Sequence, residues 1–186
     1  MNEDNKKVEK ETKRTGRDFK KFDRDAKKLY EDKIISLTKV TKVTSGGRNF
    51  RFSATVAVGD RKGKVGIGTG KSKEIPVAVS KAIKEAEKNI VQIDLVDNRT
   101  ISHEAIGVVG AAKVMVRPTK AGRGIISGGA SRIVLELAGV KDVVSKSLGS
   151  NTQINTAKAT IKALQAQRNV AHVASLRGKT VEEVLK

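Results

Sequence analysis

The chain has no cysteine and no tryptophan, and only two prolines and two histidines; aromatic residues make up 3% of its 186 positions. Without cysteine there are no disulfides, no thiol nucleophile and no cysteine-ligated zinc, and the composition suits a reducing cytoplasm. With so few aromatics, any core must be aliphatic, built from Val, Ile, Leu and Ala. Acids are scarce beyond the N-terminal stretch: eleven in the 153 residues from Ile34 onward. No Asp/Glu pair stands beside a nucleophile in a recognisable arrangement, and Ser127 and Ser131 lack an evident base. His103 and His172 lie far apart in sequence with no matching metal partners. No enzyme activity, cofactor or metal site is therefore expected. No run of 18 apolar residues exists, so no transmembrane helix is predicted, and nucleic acid rather than membrane is the expected partner. The N-terminus has no apolar segment of the signal-peptide kind.

What the chain has is positive charge. It carries 38 Lys and Arg against 20 Asp and Glu, a net charge of +18 with a pI near 10.2. Repulsion of that size disfavours a compact state unless an anionic partner offsets it. Nucleic acid is the first candidate and an anionic membrane surface the second. Hydrophobic residues make up 38%, enough for a core, and the length fits one large or two small domains.

The spacing of residues divides the chain into three parts. Residues 1–33 hold twelve cations and nine acids with almost nothing to bury, which predicts a charged flexible extension; a short helix is allowed over Asp25–Asp32. Residues 34–92 read as a β-β-β-α unit. Phe50, Phe52, Ala54, Val56 and Val58 alternate with Arg51, Ser53, Thr55 and Ala57, and a third strand follows over Lys64–Thr69. A helix over Glu74–Ile90 carries the stripe Ile75, Val79, Ala82, Ile83, Ala86 and Ile90, with Pro76 in its first turn. This order matches the double-stranded-RNA-binding type of module. Residues 93–186 read as a second unit, after a linker near Gln92–Asn98. Strands are expected at Val91–Val96, Arg99–His103, Ala111–Arg117 and Val143–Leu148, with Gly107–Gly110 separating the second from the third. Helices are expected at Ala130–Ala138, stopped by Gly139, at Thr156–Gln167 and at Thr180–Leu185. The predicted class is α+β in two small domains.

Two loops stand out. From Ile34 to Lys73 there are nine cations and one acid, Asp60. Lys39, Lys42, Arg48 and Arg51 surround the turn Ser45-Gly46-Gly47-Arg48, followed by Asn49. Arg61, Lys62 and Lys64 mark a second turn, and Lys71 and Lys73 follow the third strand. Cations on glycine-bearing turns of a small sheet suit a polyanion, so these residues form the predicted RNA-binding set. The other loop, Lys120–Gly129, enters a helix with glycines at 122, 124, 128 and 129. Such a helix start can hold phosphate. However, no Gly-Lys-Ser/Thr ends it, and its glycines miss the dinucleotide pattern.

These residues carry a resemblance. The stretch VAVGDRKGKVGIGTGKSKEIPVAVSKAIKEA, and later RPTKAGRGIISGGASRIVLELAGVKDVVSKSLGS, NTAKATIKAL and RGKTVEEVL, resemble the bacterial small-subunit ribosomal protein S5 family over Ile34–Lys186. The resemblance implies a double-stranded-RNA-binding-like domain followed by an S5-type α/β sandwich. It implies a structural constituent of the 30S subunit, in the cytoplasm. Such a protein would bind 16S rRNA near the decoding region and neck, support accuracy and the mRNA entry path, and help assembly. It further implies ribosomal protein S4 on the side of Gly122, Arg123, Gly124 and Arg132, S8 beside the C-terminal part, and S3 with S4 at the mRNA entry. The family's His-Pro is replaced here by His103-Glu104. A free-standing double-stranded-RNA-binding regulator or RNA chaperone is the alternative. A kinase using the glycine-rich loop is a third class, disfavoured by the missing base and metal carboxylates.

Overall fold

The structure, a computed structural model, describes residues 30–185. Residues 1–29, and with them most of the charged extension and of the short helix allowed over Asp25–Asp32, lie outside the described residues. Glu31 and Asp32 are strand rather than helix. The first strand reaches back into the segment read as extension, because Asp32, Lys33 and Ile34 pair with Val58, Ala57 and Val56.

The first sheet has the order β1-β2-β3-β4, with β1 at Glu31–Thr44, β2 at Gly47–Gly59, β3 at Lys64–Ser72 and β4 at Val91–Gln92. All its pairings are antiparallel. Helix α1, Ile75–Lys88, lies across one face. The stripe that it buries is Ala78, Ala82 and Ala86, with Val79 and Ile83 at its margins, while Ile75 is 40% exposed. The alanines face Gly66, Gly68 and Gly70, which repeat every second residue on β3. A Cβ on any of the three would overlap backbone atoms of α1. Helix and strand therefore meet backbone to backbone, and the glycine spacing seen in the sequence marks a close approach by the chain itself. On the same face of β2, Ala54, Val56 and Val58 fill the space beneath the helix.

The second sheet has the order β5-β6-β8-β7, with β5 at Ala105–Val109, β6 at Ala112–Pro118, β7 at Ile125–Ile126 and β8 at Val143–Ser147. Helices α2, Gly129–Ala138, and α3, Gln153–Gln165, pack on it; α4, Val170–Arg177, and α5, Val181–Leu185, follow. Three sequence-based expectations change here. The strand expected at Arg99–His103 is found at Ala105–Val109; only Thr100 makes a bridge, to Val96. Gly107, taken as a separator, is a mid-strand residue pressed against the α3 backbone at Ala159 and Ala163. The strand expected over Val91–Val96 shrinks to Val91–Gln92 and joins the first sheet. The linker is not free: Ile93 is buried, and its N–H donates to Gly63 O at 2.8 Å.

The two sheets share one core. Ala57, Val65 and Ile67 of the first pack with Val134, Leu135, Leu137 and Ala138 of α2, and with Val116, Val143 and Leu164 of the second. At this seam the β2–β3 turn, residues 60–63, caps the C-terminus of α2. The N–H groups of Arg61 and Gly63 donate to Leu137 O at 3.0 Å and Ala138 O at 2.9 Å. Both carbonyls would otherwise lack intrahelical partners. Gly139 ends α2 in the left-handed region, φ +86°, at a spot where any Cβ would overlap Arg61 O. The pairs Lys33–Glu136 (2.7 Å) and Arg61–Glu31 (2.7 Å) flank the seam.

Candidate nucleic-acid interface

The predicted RNA-binding residues fall at two opposite ends of one strand. β2 runs for 13 residues, so its ends are about 40 Å apart at the rise of a strand. At one end is the hairpin. β3 stops at Ser72, opposite Phe52, so the stretch from Val40 and Arg51 to the turn at Ser45-Gly46 projects as a two-stranded ribbon. Thr44 pairs with Gly47, whose φ of +131° favours glycine, and the Thr44 hydroxyl donates to Gly47 O at 3.0 Å. A ribbon of two strands is marginally stable alone, and this one has no third strand to lean on.

The register sorts the ribbon's side chains. Lys39, Thr41 and Val43 lie across from Phe52, Phe50 and Arg48 and share their face; Val40 and Lys42 share the other with Arg51 and Asn49. On the first face the Lys39 ammonium stands 3.9 Å from the centroid of the Phe50 ring. This cation–π contact orders the lysine on the ribbon. Beside the ribbon is an open hollow of about 410 Å³ bordered by Val40, Lys42, Thr44, Asn49, Phe50, Arg51 and Lys73. A second hollow of about 260 Å³ adjoins it, lined by Arg51, Lys71, Ser72, Lys73 and Lys81. Lys81 belongs to α1 and was read in the sequence only as an outer-face residue. The ribbon therefore brings together Lys39, Lys42, Ser45, Gly46, Gly47, Arg48, Asn49 and Arg51, with Lys71 and Lys73 at its base.

Arg61, Lys62 and Lys64 sit at the far end of β2, against the second domain. The single acid of the region explains why they turn there: the Asp60 carboxylate accepts the N–H groups of Lys62 (2.7 Å) and Lys64 (3.0 Å). Arg61 takes φ +56° and reaches Glu31. The geometry does not join this turn to the hairpin, and its backbone serves the seam.

The glycine-rich loop forms a separate feature. Gly122 and Gly124 are both left-handed, at φ +84° and +72°, with open space where a Cβ would project. Arg123 is exposed between them, and Arg132 is exposed on the first turn of α2, where its N–H donates to Gly128 O at 2.7 Å. The loop is held by Asp142, which sequence reasoning missed. The buried Asp142 carboxylate accepts the Gly124 N–H at 2.9 Å and pairs with Arg99 Nη1 at 3.1 Å. The Gly124 bond chiefly, with Arg99 and the nearby Gly122 N–H, holds its pKa below the ordinary carboxylate range despite burial. Its one sequence signal was rarity: an acid opening an apolar strand in a chain short of acids. The carboxylate occupies an N–H that a nucleotide phosphate would need, which opposes the nucleotide reading. Among the described residues, no three His, Cys, Asp or Glu side chains gather as metal ligands.

His103 ties the start of the second sheet to the end of α3. Its N–H donates to Gln167 Oε1 at 3.1 Å, and its Nε2 accepts the Arg168 N–H at 3.2 Å. Nδ1 therefore carries the proton and donates to Glu104 O at 2.8 Å.

Comparison with known proteins finds relatives of both parts of the chain. The family model described as "Ribosomal protein S5, N-terminal domain" matches residues 30–94, which span the first sheet and α1. "Ribosomal protein S5, C-terminal domain" matches residues 107–177, which take in most of the second sheet and α2 to α4. Over 154 residues the chain is 50% identical to the Small ribosomal subunit protein uS5 of Malacoplasma penetrans (strain HF-2). That alignment covers 83% of this chain and 66% of the relative.

Proposed function

The chain belongs to the ribosomal protein S5 family, and from that premise we propose that it is a structural constituent of the small ribosomal subunit. It grips 16S rRNA by shape and charge, without catalysis. The observation that carries this reading is the projecting ribbon, with Lys39, Lys42, Arg48 and Arg51 on a two-stranded arm that nothing else in the described chain covers. The ribbon lies toward the decoding region and neck. The glycine-rich loop, with Arg123 and Arg132, faces the acidic surface of another protein, S4 in this family's arrangement. S8 adjoins the C-terminal part, S3 and S4 share the mRNA entry path, and rRNA binding through the ribbon helps the subunit assemble. The work is done in the cytoplasm, within the 30S particle.

The test is the salt dependence of binding to 16S rRNA fragments. With six to ten cations meeting phosphate, log K against log salt falls with a slope on the order of −5. Replacing Lys42, Arg48 and Arg51 together with Ala flattens the slope by about two units, with the fold intact. An unchanged slope in the triple variant places the RNA elsewhere.

A further inference from the structure

We infer that the ribbon and the adjoining corner of the first sheet receive one unpaired nucleotide extruded from its helix, rather than an unbroken duplex; this rests on the ribbon being the rRNA-binding arm. The two hollows beside the ribbon differ in chemistry. The larger, about 410 Å³, is mostly apolar in lining, with Val40, the stems of Lys42, Arg51 and Lys73, and one side-chain amide, from Asn49. Its size falls within the range of pockets that enclose a small molecule. Apolar walls with one amide suit the flat face and polar edge of a base, which an amide addresses as donor and acceptor. The smaller hollow, about 260 Å³, is lined by four cations and a serine, with no acid among them. That lining suits phosphate. Arg51 and Lys73 border both hollows. A base in the first thus has its own phosphates at the second, and Lys81 on α1 meets the strand as it leaves.

An A-form duplex is recognised differently. It is gripped through phosphates and 2′-hydroxyls across a shallow minor groove, and its bases stay stacked in the helix. The likeness of the first unit to duplex-binding modules therefore does not describe this end of it. The ribbon overhangs because β3 stops at Ser72, and the overhang creates the room for the base.

The experiment compares two RNA hairpins of equal charge. One has a fully paired stem; the other carries a single extruded 2-aminopurine. Both are titrated with the full chain, with Asn49→Ala, and with Arg51→Ala/Lys73→Ala. Stacking and edge contacts to one base give about tenfold tighter binding to the bulged RNA, with a change in 2-aminopurine fluorescence on binding. Asn49→Ala removes most of that preference and leaves the salt slope as it was. Arg51→Ala/Lys73→Ala flattens the slope for both RNAs. Equal affinity for the two hairpins with a steep salt slope overturns the inference and leaves the ribbon as an RNA arm. A slope indifferent to Arg51 and Lys73 overturns both.

Discussion

Four glycine-to-alanine changes separate two costs that the fold combines. Gly46 has neither a close neighbour nor a left-handed backbone; Gly110 has φ +57° with open space around it; Gly68 has an ordinary φ but α1 backbone where a Cβ would go; Gly139 has both φ +86° and Arg61 backbone against it. A left-handed backbone costs a non-glycine residue roughly 1–2 kcal/mol. Forcing a methyl into a packed contact costs about 1–3 kcal/mol. Gly139→Ala therefore loses roughly 2–5 kcal/mol, a large share of a stability of about 5–15 kcal/mol. At about 3 °C per kcal/mol for a chain of this size, its melting midpoint falls by about 6–15 °C. Gly110→Ala falls by about 3–6 °C on the backbone cost alone. Gly68→Ala falls by about 3–9 °C, because α1 must lift from β3. Gly46→Ala is unchanged or gains up to about 1 kcal/mol from the stiffer unfolded chain. The assay is thermal unfolding by circular dichroism at one salt concentration. If Gly68→Ala melts with Gly46→Ala, α1 does not rest on the glycine stripe, and the packing described for the first sheet is wrong.

Asp142→Asn removes the carboxylate that holds Gly124 and Arg99. Because the folded pKa lies below the ordinary value of 3.8, its stabilisation is present at neutral pH and is lost as the pH falls below that value. Melts from pH 7 to pH 2 should show variant and parent differing at neutral pH and converging in acid; a constant difference refutes the clamp. Arg61→Ala with Lys62→Ala should leave the rRNA salt slope within about half a unit of the parent, since that turn lies at the seam; flattening to match the hairpin variant would put RNA there. Arg132→Leu should change acceptance of near-cognate tRNA in a misreading assay on purified ribosomes without altering rRNA affinity, and a normal error rate sinks the protein-contact reading. Gly124→Asp is a poorer probe, because φ +72° strains any side chain there.

Local pattern carried the sequence reading furthest. Alternation along Phe50–Val58 marked β2, Gly139 marked the end of α2, and the Ser-Gly-Gly-Arg turn marked the ribbon. What failed depended on partners distant in sequence. The cations at residues 61–64 resembled those at the hairpin, yet their backbone binds α2 more than 70 residues away. Gly107 read as a break because its reason, the α3 backbone, is also remote. Helix α4 was not foreseen: only Ala174 of VAHVASLR is buried, so no apolar stripe announces it. Asp142 and Lys81 acquire roles only once loops and helices are placed beside them.

The absence of cysteine offers the most direct test of the central claim. Gly46→Cys places a single thiol at the tip of the ribbon, at a position with no close neighbour. An iron chelate attached there, in small subunits reconstituted with the labelled chain, generates hydroxyl radicals that cut nearby RNA. The account predicts strong, localised cleavage of 16S rRNA from position 46, and much weaker cleavage there from a chelate at Lys62→Cys in the seam. No cleavage from position 46 in assembled subunits would contradict it.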